Sequence, residues 1–67
     1  MNLRFYQKRF SNIKEIKDTK QKNEECTKLM NDLEQRFNIP MQKDVSFEQE
    51  NAEIISFYRE VANERVF

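Results

Sequence analysis

Apolar side chains recur along this 67-residue chain in three stripes at helical spacing, and polar stretches separate them. The last stripe is the broadest. Placed at about 100° per residue, Phe47, Ile54, Ile55, Tyr58, Val61, Ala62 and Val66 share one face, with Phe57 at its margin. Ser46-Phe47-Glu48-Gln49 fits a capping box, in which the Ser46 hydroxyl accepts from the Gln49 amide and Gln49 reaches back. Glu48, Glu50 and Glu53 crowd the early turns while Arg59 and Arg65 come late, as the helix dipole favours. A helix over 46–66 is predicted.

The middle stripe is Cys26, Leu29, Met30, Leu33 and Phe37, with Asn23 ahead of Glu24 and Glu25 as its expected cap. It should end near Asn38. Pro40 lacks an amide hydrogen and biases Ile39 away from helical angles, so residues 38–45 read as a connection between antiparallel helices.

The first stripe holds Leu3, Tyr6, Phe10 and Ile13, with Ile16 at its edge, and "KDTKQKNEE" follows without a large apolar residue. On one straight helix over residues 3–37 the first stripe would centre near about 240° and the second near about 75°, almost opposite faces. That phase difference favours a break around residues 18–23, whereas the lack of Gly and Pro favours continuity. The expectation adopted is a long, bent first helix over 13–37, with residues 1–12 as a basic, aromatic segment. Asn12 to Glu15, "NIKE", would suit its start. The fold class is therefore all-α, one small domain over 1–67 built on a helical hairpin.

Composition strengthens the helical reading. There is no glycine, hence no Asn-Gly or Asp-Gly pair to close a tight β-hairpin. Leu, Ile, Val and Phe make up 17 of 67 residues and the net charge is zero, so the chain has enough apolar content to fold. A chain this short buries only about 60% of its unfolded surface, which makes support from a partner chain valuable. The face from Phe57 round to Ile55 spans about 160°, too wide for one helix partner. A helical bundle completed by dimerisation is expected; the alternative is a three-helix monomer in which the first helix folds back.

Zero net charge hides an asymmetry. Residues 1–22 carry seven basic and two acidic groups, and residues 23–67 five basic and ten acidic, so the two parts attract each other within or between chains.

Candidate chemistry is sparse. Without histidine there is no side chain of ordinary pKa near neutrality, and without glycine no Gly-rich phosphate loop. "DVSFEQEN" spaces its acids like a calcium loop but offers Gln49 and Ile55 where that loop needs Gly and a bidentate Glu. Cys26, on the apolar stripe, reads as a core thiol. No catalytic residue, metal site or cofactor is expected. A single cysteine and no signal-type apolar run point to the cytoplasm.

The remaining signal is the mixture of cations and aromatics in the first segment. Arg4, Phe5, Tyr6, Lys8, Arg9 and Phe10 are the expected partner-binding residues. Leu29, Leu33, Phe37, Ile54, Tyr58 and Val61 are the expected core or dimer seam. The functional expectation is a small non-enzymatic regulator or adaptor that contacts another protein or itself. The alternative is a nucleic-acid-binding regulator using the same segment, cations on phosphates and aromatics on bases. A membrane surface ranks below both.

Overall fold

Asp18, and not Asn23, starts the longest helix. The computed structural model describes residues 3–65 and places four helices there: α1 (Arg4–Lys14), α2 (Thr19–Phe37), α3 (Val45–Glu50) and α4 (Ala52–Glu64). Among the described residues there is no strand. Asp18 has extended angles and its carboxylate accepts from the Gln21 amide at 3.1 Å, which satisfies a donor that the first turn leaves open. Residues 19–22 contain no apolar side chain, so the stripe could not mark this start.

The long helix over 13–37 is corrected to two helices. The amides of Glu15 and Ile16 close the last turn of α1 onto Asn12 and Ile13, and the chain then turns before Asp18. The break lies at residues 15–18, a few residues earlier than the 18–23 region. Residues 4–14 are helical, so a helix begins within the basic, aromatic segment and not at Asn12. The opposed phases explain why. Only a break lets Phe10 and Ile13 of α1 and Leu29 and Leu33 of α2 enter one core.

At its far end α2 closes on Asn38, whose left-handed angles (φ 54°, ψ 46°) are the one positive φ among the described residues. The Asn38 and Ile39 amides both donate to the Glu34 carbonyl, the 5→1 and 6→1 bonds of a left-handed helix end, with Asn standing in where Gly is usual.

The helix expected over 46–66 is also corrected. Asp44 caps it, its carboxylate accepting from the Phe47 amide at 3.0 Å, so the helix begins at Val45 and Ser46 lies inside the first turn. An ionised carboxylate answers the helix dipole better than a hydroxyl, which favours Asp44 over Ser46. Asn51 then interrupts the path at φ −127° and ψ 42°, and its backbone and side-chain amides both donate to the Phe47 carbonyl. That local competition for the carbonyl divides α3 from α4. Val66 lies outside the described residues.

Helix α2 packs against both α1 and α4. Contacts of Lys22 with Glu64 and of Glu34 with Tyr58 show that α2 and α4 run in opposite directions. Tyr6 on Phe37 and Arg9 on Asp32 show the same of α1 and α2. Leu29, Leu33 and Val61 are fully buried at the centre, each burial contributing about 1.5–3 kcal/mol.

Candidate functional site

The first segment is divided between core and surface. Phe10 is a correction: it is 3% exposed and meets Phe57 edge to face, so it cannot be offered to a partner while α1 is seated. Tyr6 is half-buried, its ring 5.7 Å from that of Phe37. Arg9 is engaged with Asp32 of α2. Arg4, Phe5 and Lys8 are exposed, and among the aromatic rings of the described residues Phe5, 68% exposed, meets only that of Tyr6, edge to face. The reason lies in the helix wheel. Tyr6 and Phe10 sit in the inward stripe, whereas Phe5 and Lys8 point away from it.

The expected seam residues Leu29, Leu33, Phe37, Ile54 and Val61 are all buried within one chain. Tyr58 is half-buried and its hydroxyl donates to the Glu34 carboxylate. Burial first, and then this carboxylate partner, push the phenol up to about 12. The wide face of α4 is covered within the chain: Phe57 meets Phe10 of α1, Ile54 and Val61 are buried in the same core as the α2 stripe, and Ile55 borders the cavity beneath the connection.

Met41 and Val45 were not singled out from the sequence, yet they are 100% and 58% exposed. The signal was available, since an exposed methionine beside Pro40 in a polar connection has no helical stripe to join. Tyr6 meets Phe37 edge to face, four residues before Met41, and Lys43, Asp44 and Phe47 line one cavity with Met41, so Phe5, Met41 and Val45 lie towards the same end of the bundle. A cavity of 280 Å³ opens under the connection, lined by Ile39, Pro40, Met41, Phe47, Ile55 and Tyr58 among others. A groove of 580 Å³ runs between α1 and α4, with Leu3, Gln7 and Phe57 among its walls.

Electrostatics tie the basic first third to the rest of the chain. Arg9 pairs with Asp32, Lys22 with Glu64 at 2.6 Å, and Lys14 lies 4.9 Å from the centre of the Phe10 ring. Lys8, Lys17 and Lys20 are exposed. The acids of the "DVSFEQEN" stretch have structural duties: Asp44 caps α3 and Glu48 pairs with Arg59.

Cys26 is fully buried, and burial, then the nearby Glu64 carboxylate, push its thiol above the ordinary value. Such a thiol is a poor nucleophile at neutral pH. Among the described residues no group of three or more His, Cys, Asp or Glu could hold a metal ion, and no helix is long and apolar enough to cross a membrane. No family model matches the chain, and no curated protein or solved structure compared with it matches either.

Proposed function

We propose that the chain is a small non-enzymatic regulator or adaptor that acts by protein–protein contact. Its framework is the antiparallel hairpin of α2 and α4, on which α1 rests, and it works in the cytoplasm, where a lone reduced thiol is at home. The observation that carries this reading is the end of the bundle where Phe5, Met41 and Val45 stand in solvent with Arg4 and Lys8 close by in sequence. Large exposed apolar side chains grouped at one end, beside charged groups, suit a protein interface. The partner is another protein or a second copy.

The test is affinity capture from the native host, with nuclease treatment, followed by weighing the purified chain in solution. This reading expects a specific protein retained after nuclease, or a mass above 8.3 kDa. Binding to DNA or RNA that falls linearly with log salt would favour the nucleic-acid alternative instead. Against that alternative stand the cations of the first third already engaged by Asp32, Glu64 and the Phe10 ring.

A further inference from the structure

The cavity beneath the connection is walled by Ile39, Pro40, Phe47, Ile55 and Tyr58, and the fully exposed Met41 stands at its rim. Its volume is 280 Å³. An apolar cavity of about 150 Å³ already holds a benzene ring, so this one has room for a single aromatic or large aliphatic side chain. The Tyr58 proton is spent on Glu34, which leaves the walls chiefly apolar. Both ends of the connection are fixed, by the left-handed Asn38 that closes α2 and by the Asp44 cap of α3, so the cavity stands ready before anything enters it.

The charges around this cavity are unequally spent. Asp44 caps α3, Glu48 pairs with Arg59, Glu34 accepts from Tyr58 and Asp32 holds Arg9, so each of these carboxylates has a partner within the chain. Lys43 on the cavity wall, Arg36 in the last turn of α2 and Lys8 of α1 are exposed, and among the described residues none of the three forms an ion pair. Glu50 and Glu53 line a different cavity, together with Leu3 and Ile54. The unspent charge on the side of the connection is therefore positive.

We infer that the cavity takes one aromatic or large aliphatic side chain from a short acidic segment of a partner protein, whose carboxylates meet Lys43 and the cations towards the same end. The anchor fills the space between Ile39, Phe47 and Ile55, while the exposed Met41 and Val45 add apolar contact outside it. A buried anchor ringed by weaker contacts is how a small surface concentrates binding energy. Cations at the rim draw in an acidic segment and reject a basic one. This inference rests on the reading of the chain as a protein-contact module and names the chemistry of its partner.

The experiment selects peptides for the purified chain from a random displayed library and maps the enriched peptides by NMR shifts of the protein's methyl groups. The expected result is enrichment of peptides that hold one aromatic or large aliphatic residue among Asp and Glu and that shift the methyls of Ile39, Ile55 and Met41. Replacing that peptide residue by Ala should weaken binding about a hundred-fold, and Lys43→Glu in the protein about ten-fold with helicity unchanged. Peptides that are basic, or that leave the Ile39 and Ile55 methyls unmoved, overturn the inference, as does a library that yields no binder. Acidic peptides that shift only Phe5 and its neighbours would do so while leaving the protein-contact reading standing. Unchanged binding by a folded Lys43→Glu variant overturns the role of charge. Decanoate that fills the cavity as tightly as the best peptide overturns a protein segment as its occupant.

Discussion

Phe10 of α1 and Phe57 of α4 meet edge to face, ring centroids 5.7 Å apart at 85°, and so join the first and last helices across one core. Removing the Phe10 ring leaves a cavity that the neighbours fill only in part. Phe10→Ala should cost about 3–5 kcal/mol, comparable with the whole stability of a domain this small. Phe5→Ala, one turn away and exposed, should stay within about 0.5 kcal/mol. Urea unfolding followed by circular dichroism separates them, and equal costs would contradict the placement of α1.

Leu33 is fully buried in α2. Leu33→Asp places an unpaired carboxylate there, and loss of most helical signal at neutral pH is expected. Full retention of helicity would show that the α2 stripe does not line the core.

The caps make a finer test. Asp18→Ala and Asp44→Ala should each cost about 0.5–2 kcal/mol, because each removes the acceptor of a first-turn amide. Ser46→Ala should change stability by less than about 0.5 kcal/mol, since Ser46 is exposed within α3. A larger loss at Ser46 than at Asp44 would restore the capping-box reading.

These positions also show what the sequence could reveal. The apolar stripes of α2 and α4 were legible because Leu29, Leu33, Ile54 and Val61 repeat at helical spacing and only a buried face needs that spacing. Helix starts were harder. Asp18 and Asp44 act through one hydrogen bond each, and the residues after Asp18 are polar, so periodicity is silent there. The kink at Asn51 hangs on the competition for the Phe47 carbonyl, which spacing cannot report. For the candidate site, Arg4, Phe5 and Lys8 were legible as a basic and aromatic group, but the wheel could not say that Phe10 would be covered by Phe57. That Met41 joins no helical stripe was legible, but how far Met41 and Val45 stand in solvent depends on how the connection leaves the bundle, which is a tertiary fact.

Tyr58 gives stability an alkaline limit. Its folded pKa of about 12 lies above the ordinary value of 10.0, so the folded chain holds the phenolic proton more tightly than the unfolded chain does. The resulting stabilisation is complete below about pH 10 and is lost as pH rises towards about 12. Absorbance titration should show the Tyr58 tyrosinate forming late, and Tyr58→Phe should remove that late step and its share of the pH dependence. A Tyr58 phenol ionising near the ordinary value of 10.0 would contradict the Glu34 contact.

Cys26 should resist thiol reagents in the native chain and react at an ordinary rate once unfolded, because burial both shields the sulfur and raises its pKa. Rapid labelling without denaturant would place it outside the core.

The proposed protein contact is made by the end bearing Phe5 and Met41. Its most direct test is quantitative affinity capture with the native chain and with Phe5→Glu, Met41→Glu. Both side chains are exposed, so the variant should keep its helicity and unfolding midpoint while the retained partner, or the second copy, is lost. An equally stable variant that retains the same proteins to the same extent would contradict it.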